Sequence, residues 1–190
     1  MRLSRKFYER DTPKVARELL GKIFTCTVKS GTLKGKIVET EAYFGVDDPA
    51  SRASEKKTKI NNLMWEKGGL TLIYMVHGNW LFNVTTEKKG VPGAVLIRAV
   101  EPISGLKTMK KLRGKEKLKE LTSGPGKMTQ AFGISKEHHE VDLTSSDKIF
   151  ISDPEEHTEN KNIRTSHRIG VREDLDQELR FYIADSEFVS

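Results

Sequence analysis

The chain has 190 residues, enough for one domain that buries about 70% of the surface its unfolded form exposes. Apolar residues make up 36% and charged residues 32%, which fits a globular protein and excludes collagen-like composition, and no apolar run reaches the roughly 18 residues of a membrane span. Lys and Arg number 33 against 27 acids, a formal charge of +6, which favours a polyanionic partner.

The first ten residues are charged where a secretory signal would carry its apolar stretch, so an intracellular location is expected. The one cysteine, Cys26, rules out an intrachain disulfide, a Cys-rich zinc site and an iron–sulfur cluster held by this chain alone. It lies in the apolar-alternating segment 23–28 and reads as a core residue.

In chain order, Asp11-Thr12-Pro13 followed by Val15, Leu19, Leu20 and Gly21 predicts a short amphipathic helix, with Thr12 as cap, Pro13 in the first turn and Gly21 at its end. Segments 23–28 and 33–43 read as strands of an antiparallel hairpin turning at Lys29-Ser30-Gly31. The apolar period then vanishes over 45–69, and a loop this long is usually functional. Strands are predicted at 70–76 and 81–85 around Gly78-Asn79, and at 94–100, where Glu101-Pro102 closes the sheet segment. Leu106, Met109 and Leu112 mark a basic helix, and a second helix covers 126–132 before Gly133. Strands about 149–151 and 180–183 return to the sheet, with a polar loop at 153–161. The fold class is α+β: a single mixed domain over 1–190 with a curved, mainly antiparallel β-sheet and flanking helices.

Alternation within 33–43 puts Ile37, Glu39, Glu41 and Tyr43 on one side of the strand and Val38, Thr40 and Ala42 on the other. Two carboxylates and a phenol on one side mean either an edge strand with a wet face or employed side chains. Arg98 interrupts an otherwise apolar strand and needs an anionic partner, for which Glu39 and Glu41 are candidates, either as a structural ion pair or as part of a site. A carboxylate held by arginine stays ionised near neutrality and can orient and deprotonate a water. Tyr43, Tyr74, His77 and Trp80 offer flat surfaces for stacking on a base or for ordinary core packing, and the His77-Gly78-Asn79-Trp80 turn is the better candidate for a wedge into DNA. Asn83 reads either as a base-edge reader or as a satisfied core amide. The Lys/Arg cluster over 107–119, with Lys110, Lys111 and Arg113, reads either as a solvated helix face or as a phosphate-tracking surface. Histidine spacing gives metal chemistry little support, and Ser123-Gly124-Pro125-Gly126-Lys127 lacks Walker spacing, although its backbone amides could face a phosphate.

Taken in order, segments 37–45 (IVETEAYFG), 94–102 (AVLIRAVEP), 123–127 (SGPGK) and 179–182 (LRFY) resemble the alkyladenine type of 3-methyladenine DNA glycosylase, across nearly the whole chain. The resemblance implies a cofactor-free and metal-free enzyme, a monomer, that flips a damaged purine out of double-stranded DNA and hydrolyses its N-glycosidic bond. Glu41 would be the general base and Arg98 would help hold the water. Tyr43 and Tyr74 would sandwich the base, Asn83 would screen its edge, and His77 or Trp80 would intercalate. Lys110, Lys111, Arg113 and Lys127 would meet the backbone. An alkylated purine is already cationic, so one base and one water suffice.

The chain departs from the family pattern in three places. Arg52 stands where a base-contacting His is usual, His77 stands where a Tyr is common, and the segment 78–83 is one residue shorter. Arg52 is expected to shift preference toward neutral lesions such as hypoxanthine, unless it is neutralised by Glu39 or Asp47, stacks on the base, or swings to a phosphate. A non-catalytic nucleic-acid-binding module and a hydrolase of free nucleosides are the competing readings. The Glu41–Arg98 pair argues against the first, and the lysine-rich segments argue against the second.

Overall fold

In the computed structural model, residues 1–155 and 162–190 are described, so the greater part of the expected 153–161 loop lies outside the described residues. Along the chain come α1 (Arg5–Tyr8), α2 (Thr12–Leu19), β1 (Ile23–Val28), β2 (Gly31–Tyr43), β3 (Thr71–Val76), β4 (Asn79–Thr85) and β5 (Ala94–Ser104). They are followed by α3 (Leu106–Arg113), α4 (Lys119–Thr122), α5 (Pro125–Ala131), β6 (Ile149–Ser152), β7 (Ile163–Ser166) and β8 (Arg180–Ile183). The strands form one curled antiparallel sheet in the order β3-β4-β5-β2-β1-β6, with β8 joining β2 and β7 joining β8.

The length of β2 organises this sheet. One of its edges is covered by β1 near its start and by β8 near its end, while the other pairs with β5. It is therefore interior, and the wet-edge alternative for its carboxylates does not hold: Glu39 and Glu41 are fully buried. Strict alternation fails as well. Ile37 pairs with Val100, Glu39 with Ala99 and Thr40 with Ile97, so Val38 on one strand and Arg98 on the other have no opposite number. An extra residue resets the phase of a strand and re-aims its neighbours. Ile37 and Ala42 thereby both reach the main core, as do Ile97 and Val100, while Arg98 points to the other side.

That core lies between the sheet and the helices, with α2 against β2 and α5 against β4 and β5. At its centre Phe24 meets Phe82 and Phe132 edge to face, with ring centroids 4.9 and 5.0 Å apart. Cys26 is buried there as expected, its thiol pushed up to about 12 by burial. The 45–69 segment carries a smaller cluster of its own, in which Ala53, Leu63 and Met64 cover Leu70, Leu72 and Ala94.

Local chemistry corrects several boundaries. The cap of α2 is Asp11, whose carboxylate accepts from the Lys14 N–H, while the Thr12 hydroxyl is taken by Thr86 and Glu87. Strand β5 continues through Glu101-Pro102 to Ser104, because Pro102 sits beside an irregularity where its missing N–H breaks no regular ladder. Three short elements, α1, α4 and β7, have too little period of their own to be expected from sequence. Among the described residues no helix is long and apolar enough to cross a membrane.

Candidate active site

The face of the sheet turned away from the main core forms the floor of a cleft of about 900 Å³. Tyr43 from β2, Tyr74 from β3, Asn83 from β4 and Arg98 from β5 all line it, and the walls come from loops 49–52 and 169–172 and the start of α5. Convergence follows from pleating: on each strand the positions opposite the core share this face.

Glu41 lies just behind the floor. Its Oε2 accepts from the Tyr43 hydroxyl at 2.8 Å and from Arg98 Nη1 at 3.1 Å, and its Oε1 accepts from the Ile169 N–H at 2.8 Å. Arg98 also gives its Nε to Glu39 at 3.0 Å, so the arginine bridges the two acids that the sequence offered as alternative partners. Glu39 accepts in addition from Arg180 Nε at 2.7 Å and from the Ser190 N–H and hydroxyl at 2.7 and 2.9 Å. With four donors, Glu39 is committed to holding the arginines in place. Glu41 has three, two of them on one oxygen.

Each of the two tyrosine rings has a guanidinium against it. The Arg52 guanidinium stands 5.1 Å from the Tyr74 ring centre, and that of Arg168 stands 4.6 Å from the Tyr43 ring centre. Burial raises the Tyr43 hydroxyl far above its usual range, and the Glu41 carboxylate raises it further. Burial also raises the Tyr74 hydroxyl, against the opposing pull of Arg52 and Asn83. Asn83 is nearly enclosed and donates to the Leu72 carbonyl at 3.1 Å. Arg52 is exposed at the cleft, and neither Glu39 nor Asp47 pairs with it among the described ion pairs.

His77 and Gly78 form the tip of the β3–β4 hairpin with φ of 47° and 78°. Positive φ at both central positions is the signature of the twisted two-residue turn that matches a hairpin. His77 is exposed and lines the cleft, whereas Trp80 packs against the main core and lies on the other side of the hairpin, facing a groove toward Leu112. Of the basic candidates, Lys111 and Lys127 are exposed, while Lys110 reaches Glu116 at 3.1 Å. Arg113 is tied into the helical layer through Gln130 and the Glu120 carbonyl.

Sequence reasoning passes over Arg168, Asp48, Asp174, Ile169 and Ser190. Each sits in a stretch without apolar period, so nothing marks it. Arg180 is legible in principle, since it interrupts Leu179 and Phe181 much as Arg98 interrupts its own strand.

The family model for methylpurine-DNA glycosylase matches residues 6–187, and the chain belongs to that family. It is 41% identical over 203 residues to a protein of Clostridium perfringens (strain SM101 / Type A), covering 100% of this chain and 99% of that one. It is 40% identical over 186 residues to one of Chlorobium phaeobacteroides (strain DSM 266 / SMG 266 / 2430), covering 97% and 94%. A protein of Salinibacter ruber (strain DSM 13855 / M31) is 39% identical over 200 residues, covering 99% and 96%. All three carry the provisional name 3-methyladenine DNA glycosylase.

Proposed function

We propose that the chain is a single-domain, monofunctional DNA glycosylase over residues 1–190, acting as an intracellular monomer on double-stranded DNA that contains damaged purines. Family membership supports the activity, and the observation that carries the mechanism is the hydrogen bonding of Glu41. Oε2 already has two donors, from Tyr43 and Arg98, while Oε1 has one, from Ile169, a residue of the cleft wall. Oε1 carries fewer donors than Oε2 and sits beside the cleft wall, so it is the oxygen assigned to the attacking water.

A purine turned out of the duplex stacks between Tyr43 and Tyr74, with its edge toward Asn83 and its sugar toward Arg98 and Glu41. The water oxygen bonds to C1′ of the sugar as the C1′–N9 bond breaks. The bonding pair leaves with the purine, and the water proton passes to Glu41 Oε1. A purine alkylated at N3 or N7 departs neutral and needs no acid, whereas an uncharged lesion such as hypoxanthine departs as an anion that takes its proton from solvent water. Among the described residues that line the cleft there is no lysine, which favours hydrolysis over strand cleavage through an imine. His77 enters the base stack from the hairpin tip, and Lys111 and Lys127 meet phosphates. Trp80, set against the core, supports the hairpin.

The test is single-turnover release of 7-methylguanine and hypoxanthine from duplex DNA by the wild type and Glu41→Gln. Release by the wild type and none by the variant is expected. Tight duplex binding without release by either protein would instead favour the non-catalytic module.

A further inference from the structure

Arg168 is the most heavily bonded side chain near the cleft, although it lies outside the cleft lining. Its side chain is fully buried. Nη1 donates to Asp48 Oδ2 at 2.7 Å and to the Ala42 carbonyl at 2.9 Å, and Nη2 donates to Asp48 Oδ1 at 2.7 Å. Nε and Nη2 donate to Asp174 Oδ1 at 2.8 and 2.6 Å, and the Arg168 N–H donates to Asp174 Oδ2 at 2.9 Å. Every polar direction of the guanidinium is used, and its flat face lies against the Tyr43 ring. Burial works against its charge, but the two aspartates outweigh that and keep it protonated.

These bonds join three parts of the cleft that are far apart in sequence. Asp48 folds the wall loop by accepting from the Phe44 and Ala50 N–H groups. The Ala42 carbonyl belongs to the residue between Glu41 and Tyr43. Ile169, next after Arg168, presents its N–H to Glu41 Oε1. Rotation or loss of the guanidinium would therefore displace the donor on the oxygen assigned to the water, and free the ring against which the base would stack.

We propose that Arg168, clamped by Asp48 and Asp174, is a positioning residue for base release: it fixes the Ile169 N–H on Glu41 and the plane of Tyr43 at once. The proposal rests on the glycosylase reading above and names a residue through which that site is held. Arg168→Lys keeps a cation but not the planar fork, so it separates orientation from charge. The experiment measures single-turnover base release at saturating enzyme, affinity for an abasic-site duplex, and thermal unfolding, for Arg168→Lys, Asp174→Asn, Arg168→Gly with and without added guanidinium ion, and Glu41→Gln.

Arg168→Lys is expected to lower the release rate about 100-fold, the scale of a misplacement near 1 Å, while abasic-duplex affinity stays within about threefold. Added guanidinium is expected to restore at least about tenfold of the rate lost in Arg168→Gly, because a planar cation refits the clamp. Asp174, which is partly exposed, covers the case in which the arginine variants do not fold, and its Asn variant is expected to slow release without loss of duplex affinity. Wild-type release rates in Arg168→Lys or Asp174→Asn, or rate and affinity falling together in step with the folded fraction, would overturn the proposal. Release by Glu41→Gln at the wild-type rate would instead overturn the glycosylase mechanism itself.

Discussion

Glu39 and Glu41 are two residues apart, equally buried and bonded to the same arginine, yet their surroundings assign them different work. Four donors saturate Glu39, and two of them come from guanidinium groups. Replacing it with Gln leaves buried cations underpaired, a change that costs about 3–5 kcal/mol in comparable sites. Glu39→Gln is therefore expected to lower the urea midpoint more than Glu41→Gln, and Glu41→Gln to lower base release more than Glu39→Gln. The two variants measured by denaturation and by single-turnover release should rank in opposite orders. Arg52 makes a separate prediction. Its exposed guanidinium over Tyr74 places positive charge beside the proposed stacking position, where it is expected to disfavour a cationic purine relative to a neutral one. Arg52→His should raise excision of 7-methylguanine relative to hypoxanthine, and an unchanged ratio would show that the charge is directed elsewhere.

At the level of elements, the hairpin and α5 depend on close approach. A Cβ on Gly126 would stand 2.8 Å from Asn79 Cγ and 2.9 Å from its Cβ, too near for either to stay in place. Gly126→Ala should force the helix from the hairpin at a cost of about 1–3 kcal/mol, the usual scale of overpacking. It should also weaken binding of a lesion duplex more than it slows release once bound. Asn79→Gly in the same chain should recover part of the stability, which a double-mutant cycle in urea would read directly. If Gly126→Ala left both stability and affinity unchanged, α5 would not be what sets the hairpin.

Across the whole molecule the excess positive charge divides into committed and available groups. Arg98, Arg168 and Arg180 are spent on buried carboxylates, and Arg113 holds the helical layer together. Lys111 and Lys127 remain exposed. Replacing both with Ala should reduce the slope of log affinity against log salt on undamaged duplex by about 0.9 for each phosphate that is no longer neutralised, with lesion preference unchanged. An unaltered slope would mean that these side chains are merely solvated.

Several features of this protein follow from sequence because they are local. The β3–β4 turn, expected at Gly78-Asn79 and formed one residue earlier at His77-Gly78, the strands on either side of it, the helix whose first turn holds Pro13 and the basic helix at 106–113 are written in φ preferences and apolar period over a few residues. The pairing of Arg98 with an acid was also legible, since a guanidinium in an apolar strand has few other options. What the sequence left open is decided by contacts between distant segments. Whether the Glu39–Glu41 face is wet depends on β8, which arrives about 140 residues later and closes the second edge of β2. The side to which Arg98 points depends on bulges that appear only when β2 and β5 pair out of register. Arg168 is unremarkable in its own segment, and only folding brings Asp48, Ala42 and Asp174 around it. Periodicity reports how a segment meets the solvent boundary. It carries no information about which buried charge will be placed beside which.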